Sequence, residues 1–229
     1  MERFTSLEAN YSFLAKYYDE LLGDKEAYLS YLPYVKKKGK VLELASGNGD
    51  FALLLKENDY DIIASDISKE MKEVAINKGY SGQYLILDMR DFILEEKFET
   101  IVCINDSFNY LKPEELDSYF DNIAKHLKEK GEFIFDSHHP LRLKEFENEY
   151  IEEGQLSEIN YQWTIVSDTI NKTLSENFVF FSDSGTYLEQ HLQYVYEIEE
   201  IKEVASKYFD LEFVEIFEAE KILIRGIKK

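Results

Sequence analysis

Apolar residues follow three rhythms along this chain. Between residues 6 and 37, Leu7, Tyr11, Leu14, Ala15 and Tyr18 recur at three- and four-residue spacing, which predicts helix. A second helix begins near Lys25, and Pro33 breaks or kinks it. From Lys40 to Phe135, short apolar runs alternate with amphipathic stretches. The runs at 40–45, 61–65, 84–87, 100–104 and 132–135 read as strands. Helices are predicted over 49–57, from the N-cap Ser68 to a stop at Gly79, and from Pro113 to Leu127. Strands this apolar, alternating with helices, call for a mostly parallel sheet covered on both faces. After Pro140 the period falls to two, over 159–170, 173–182 and 187–196. Tyr161, Trp163 and Ile165 share one face there, Gln162 and Thr164 the other, and residues 182–185 form a turn. That pattern is an antiparallel insertion of two to four strands. Residues 197–209 return to helix, and 211–217 and 221–227 read as a closing hairpin. The division expected is one domain over 1–229: a helical cap (1–38), a core (39–139), a lid insertion (140–196), and a closing helix and strands (197–229).

Charge and cysteine content narrow the classes of function. The 229 residues carry a net charge of −20, with no stripe of Lys and Arg to offset it. Such a field repels phosphate backbones, so no nucleic-acid partner is expected. The single cysteine, Cys103, excludes an internal disulfide framework. No stretch reaches the ~18–20 apolar residues of a membrane span, and the first residues lack the basic-then-apolar shape of a signal peptide. A cytoplasmic protein with no membrane partner is the expectation, as a monomer or homodimer.

The strongest local signal is Val41-Leu42-Glu43-Leu44-Ala45-Ser46-Gly47-Asn48-Gly49-Asp50, two glycines between a strand and a helix. Glycine permits the tight backbone of such a turn, and the helix start offers free N–H groups to a ligand. Asp66 ends the next strand, 19 residues after Gly47, where a carboxylate can accept both hydroxyls of a ribose. Residues 47–52 also satisfy Gly-x-Gly-x-x-Ala, so a nicotinamide or flavin enzyme stays open. Glu43, Asp50 and Asp88 weigh against a pyrophosphate in this turn.

Residues 43–49 resemble the first motif of class I S-adenosylmethionine-dependent methyltransferases, acidic-x-Gly-x-Gly-x-Gly, with Ala45 at the first glycine. Asp66-Ile67-Ser68 followed by Met71 is similar to the family's second motif, and Asp88-Met89-Arg90-Asp91-Phe92 to the segment after its third strand. Residues 14–21, 105–111 and 136–138 resemble the cap and the later strand ends of small bacterial methyltransferase-domain proteins of unassigned substrate. The resemblance implies a Rossmann-like sheet of seven mostly parallel strands, and S-adenosylmethionine as cofactor. It implies Glu43 near the methionine amino end, and backbone contacts from Ala45, Ser46 and Gly47. Asp66 would bind the ribose, Ile67 and Met71 would flank the adenine, and Asp88 and Met89 would hold its edge. Asn105 and Tyr18 complete the implied cofactor set.

Methyl transfer from a sulfonium is an in-line displacement, so the protein must chiefly position the acceptor and exclude water, effects worth about 7–11 kcal/mol when orientation is good. Polar groups beyond the carboxyl ends of the strands are the candidates for more: His138 as general base, with Asp106. Phe108, Tyr110, His139, Tyr161, Trp163, Glu189 and His191 are candidate walls of a pocket for a small-molecule acceptor. Tyr17 reads as ordinary core, and His126 as incidental on a solvent-facing stripe. Asp136, His138 and His139 lack a further ligand, so no metal is expected. A non-catalytic protein that binds S-adenosyl ligands is the alternative from another class.

Overall fold

In the computed structural model, which describes residues 5–7, 11, 13–23, 25–36, 38–183, 185–217 and 220–229, the rhythms separate into two sheets. The chain begins with β1 (Thr5–Leu7), then α1 (Tyr18–Leu21) and α2 (Lys25–Leu29), with 3-10 turns at Leu14–Lys16 and Leu32–Tyr34. The long helices expected over 6–37 are therefore short pieces. Their aromatic residues reach different neighbours: the Tyr31 hydroxyl donates to Asp136, Phe13 stacks on Tyr187 at 4.2 Å, and Tyr28 on Phe51 at 5.9 Å. Tertiary contacts override helical spacing here.

The core follows as β2 (Lys40–Glu43), α3 (Asp50–Glu57), β3 (Asp61–Asp66), α4 (Lys69–Asn77), β4 (Gln83–Ile86), β5 (Phe98–Cys103), α5 (Leu116–His126) and β6 (Leu127–His138). Next come α6 (Leu141–Glu145), the strands β7 (Tyr150–Leu156), β8 (Ile159–Asp168), β9 (Thr173–Ser182) and β10 (Gly185–Tyr194), then α7 (Ile198–Ala205), β11 (Phe209–Ile216) and β12 (Lys221–Lys228). The larger sheet runs β11-β12-β6-β5-β2-β3-β4. β2 to β6 are mutually parallel, and β12 is antiparallel to both β6 and β11.

Alternation along each strand feeds two cores, one on each face of this sheet. Ile101 and Cys103 join Leu116, Phe120 and Ile123 of α5 and Ile201 of α7. Val102 and Ile104 join Phe51 and Leu55 of α3 and Ala75 of α4. Each such buried aliphatic or aromatic side chain contributes about 1.5–3 kcal/mol. His126 is buried with the first of these cores rather than facing solvent. Its Nδ1 donates to the Asn122 carbonyl at 2.8 Å, the Leu94 N–H donates to its Nε2 at 3.0 Å, and the Phe92 ring lies 4.5 Å away.

The second sheet runs β1-β10-β9-β8-β7. It is antiparallel except where β1 joins β10 in parallel. Phe178 and Phe180 on its inner face pack against Leu14 and the cap aromatics. The order in which successive strands join the larger sheet reverses between β2 and β5, so the loops after those parallel strands part and leave a crevice at their carboxyl ends.

Candidate active site

The loop leaving β2 is held open by backbone bonds. Ser46 N donates to the Ser65 carbonyl at 2.8 Å, and Gly47 N to Asp66 Oδ2 at 2.9 Å. Three of its residues take left-handed backbone: Ala45 (φ 52°), Gly47 (51°) and Gly49 (77°). The two glycines serve different ends. A Cβ at Gly47 would meet no atom within 4 Å, so the chain there borders open space. A Cβ at Gly49 would stand 2.7 Å from the Ala75 Cβ, so that glycine seats α3 on α4. Asp50 is turned to structure: it pairs with Lys78 and accepts from Asn48 Nδ2 at 2.8 Å.

A cavity of about 280 Å³ lies over this loop. Tyr18, Glu43, Ala45, Ser46, Gly47, Asp66, Ile67, Met71, Asp88, Met89 and Asn105 all line it. Asp66 Oδ1 accepts from Ser68 N at 2.8 Å, and burial pushes this carboxyl up against those backbone bonds. Ser68 also caps α4, its Oγ accepting from Met71 N at 3.1 Å, which turns Met71 toward the cavity. Burial pushes Asp88 up, but the Arg90 guanidinium, at 2.6 and 2.9 Å, wins and holds it below its ordinary value. Glu43 Oε2 is buried without a hydrogen-bond partner, and burial pushes the carboxyl to about 8 despite Ser46. Sequence reasoning missed Tyr11, Tyr28 and Arg90 in this wall.

The loop leaving β5 is built from the other side. Asn105 and Asp106 are both left-handed (φ 61° and 64°). Asp136, fully buried on β6, fixes them by accepting from Asn105 N at 3.0 Å and Asp106 N at 2.9 Å. Lys221 of β12 bonds Asp106 Oδ2 at 2.7 Å, donates to Asn105 Oδ1 at 3.1 Å and stands 3.8 Å from Asp136. Burial would raise Asp106, yet His138 and Lys221 hold it below its ordinary value; for Asp136 burial wins and the carboxyl is raised. Lys221 did not figure among the sequence candidates, and Asp136 figured only in the metal group set aside there.

Tyr11, Tyr18, Asn105 and Tyr110 form a wall common to the first cavity and a second of about 190 Å³. Asp106, His138, Trp163 and His191 line the second, with Arg142, Glu176 and Gln193. Gln193 fixes the His138 ring: its Nε2 donates to the Asp106 carbonyl at 3.2 Å, so its Oε1 accepts from His138 Nε2 at 2.8 Å. His138 Nδ1 is then left 3.3 Å from Asp106 Oδ1, both buried and neither hydrogen-bonded. His191 is placed by Tyr110, whose hydroxyl is 3.1 Å from Nδ1, and by Glu189, 3.4 Å from Nε2.

Other sequence candidates stand outside both cavities. Glu189 is fully buried behind His191, its Oε2 accepting from Phe13 N and Leu14 N at 3.1 and 3.0 Å. Phe108 lies in the core against Phe135 at 4.7 Å, because the 3-10 turn Ser107–Tyr110 rotates its ring inward. Tyr161 donates to Glu152, and His139 Nδ1 accepts from Leu141 N at 3.2 Å at the start of α6. Asp136, His138 and His139 do not converge, and among the described residues no group of three His, Cys, Asp or Glu is placed to hold a metal.

Residues 41–131 match the model of a methyltransferase domain family. Over 213 residues the chain is 28% identical to the Bacillus subtilis (strain 168) protein named "Putative methyltransferase YqeM", covering 85% of this chain and 83% of that one. An S-adenosylmethionine-dependent methyltransferase from Clostridium acetobutylicum superposes with a TM-score of 0.77 at 24% identity, covering 95% and 98% of the two chains. The sugar N-methyltransferase KedS8 from Streptoalloteichus superposes at 0.76 with 16% identity, covering 100% and 96%. Switch-point crevice, glycine loop and strand-end carboxylates thus coincide with the matched segment: residues 41–131 are similar to a methyltransferase domain, and the chain has the fold of the solved methyltransferases.

Proposed function

We propose that this methyltransferase moves the methyl group to a nitrogen or oxygen of a small-molecule acceptor held in the second cavity. The observation that carries the reading is the common wall: Tyr11, Tyr18, Asn105 and Tyr110 line both the cofactor cavity and an adjoining chamber of titratable and aromatic groups.

The first cavity suits the cofactor. Glu43 Oε2, buried and unpartnered, offers an acceptor for an ammonium group. Asp66 stands ready for hydroxyls, Ile67, Met71 and Met89 form an apolar slot, and Gly47 leaves room for close approach. Bound there, S-adenosylmethionine supplies a methyl group already activated on a sulfonium. The residues then have three tasks. The wall aromatics exclude water and orient the acceptor lone pair. Asp136 and Lys221 hold the Asn105–Asp106 loop that separates the two cavities. His138 takes the acceptor's proton: Gln193 keeps Nε2 protonated, so the free position is Nδ1, where an arriving proton meets Asp106 Oδ1.

The test is a screen of small amines and hydroxyl compounds for S-adenosylhomocysteine release. An acceptor is expected among them, and His138→Ala is expected to lower kcat by about 10²–10⁴ with cofactor affinity retained. Tight cofactor binding with no turnover on any nitrogen or oxygen acceptor would favour the non-catalytic alternative.

A further inference from the structure

Resting on that reading, we propose that the second cavity selects acceptors bearing a positively charged amine, with Glu176 of β9 as the counter-charge. Glu176 lies on the inner row of β9 with Phe178, two residues away, and lines the cavity. Among the described residues it forms no ion pair, whereas Asp106, in the same wall, is held by Lys221. Beside it, the Trp163 indole N–H is buried without a hydrogen bond of good geometry, and the Trp163 and Phe178 rings stack at 5.5 Å with 16° between planes. A carboxylate set against aromatic faces is a receptor for an ammonium group.

The surrounding charges point the same way. Asp106, Asp136, Glu176 and Glu189 stand in or directly behind the cavity wall, against only Lys221 and Arg142 as permanent cations. Arg142 is already engaged, 2.8 Å from Glu145 and over the Phe146 ring at 4.6 Å. The carboxylates outnumber these two permanent cations. A phosphorylated or carboxylated acceptor would have to enter against that excess, while a cation relieves the burial that pushes Glu176 upward.

Trp163 is the only tryptophan in the sequence, so its fluorescence reports occupancy of this cavity directly. The experiment titrates cyclohexylamine, cyclohexanol and cyclohexanecarboxylate at pH 7.5, with and without saturating S-adenosylhomocysteine, whose own affinity is measured by calorimetry. Cyclohexylamine is expected to bind about tenfold or more tighter than cyclohexanol, with the carboxylate weakest. Glu176→Gln is expected to remove the amine's advantage and leave cyclohexanol and S-adenosylhomocysteine affinities within about twofold. Equal or tighter binding of the carboxylate, an amine preference that survives in the variant, or no response to any probe overturns the proposal. If the variant does not fold, the ranking by the unmodified protein decides alone. Failure of S-adenosylhomocysteine to bind would strike the methyltransferase reading instead, and the titrations without it would still judge Glu176.

Discussion

Replacing Glu43 by glutamine tests whether the cofactor cavity stores an uncompensated carboxyl. Glu43 ends β2 with Oε2 buried and unpartnered, and burial lifts its carboxyl from an ordinary 4.5 to about 8. In the fold it keeps a proton that the unfolded chain releases above about pH 4.5. Stability from that proton is therefore full in acid, falls as pH rises from about 4.5, and is lost once pH passes about 8. At pH 9 the ionised group costs the fold roughly 3–6 kcal/mol. Glutamine has the same shape and carries no charge at any pH. Its own unpaired N–H groups cost about 1–3 kcal/mol, but at every pH alike. Urea unfolding of both proteins at pH 5, 7 and 9 isolates the effect. Relative to the unmodified protein, Glu43→Gln should gain roughly 3–6 kcal/mol between pH 5 and pH 9. A difference that stays flat with pH, or moves the other way, refutes the reasoning.

Three other substitutions probe the scaffold. Gly49→Ala should destabilise by about 2–4 kcal/mol, because left-handed strain adds to the 2.7 Å approach to Ala75; calorimetric melting measures it. Ala45→Gly should raise stability by up to about 1 kcal/mol, since relief of the 52° φ slightly exceeds glycine's entropy cost; an unchanged or lower melting temperature contradicts this. Lys221→Met leaves Asp106 and Asp136 without their cation and should cost about 3–5 kcal/mol at pH 7. That loss should shrink in acid as the carboxylates protonate, which denaturant midpoints at pH 4 and pH 7 would show.

Where the sequence was legible, the signal was local. The strand–helix alternation, the glycine turn and Asp66 each sit within one strand–loop–helix unit, where spacing alone fixes position. The seven-stranded sheet and the separate antiparallel sheet match that reading. What was hidden depended on distant segments. Lys221 comes from β12 to a loop 116 residues earlier, and Glu176 faces the cavity only because β9 pairs between β8 and β10. His126 falls on an outer helical stripe by periodicity, but the segment carrying Phe92 and Leu94 covers it. Phe108 stands three residues from Asn105 in the chain, yet one 3-10 turn sends its ring to the core. In the cap, spacing indicated helix, while each aromatic found a different wall.

The most direct measurement is calorimetric binding of S-adenosylmethionine, S-adenosylhomocysteine and NADH to the protein and to Asp66→Ala. The account predicts that both S-adenosyl ligands bind, that NADH does not, and that Asp66→Ala weakens binding by about tenfold to a hundredfold, as expected for one or two charge-assisted hydrogen bonds. Binding of NADH without the S-adenosyl ligands, or S-adenosyl binding indifferent to Asp66, would contradict it.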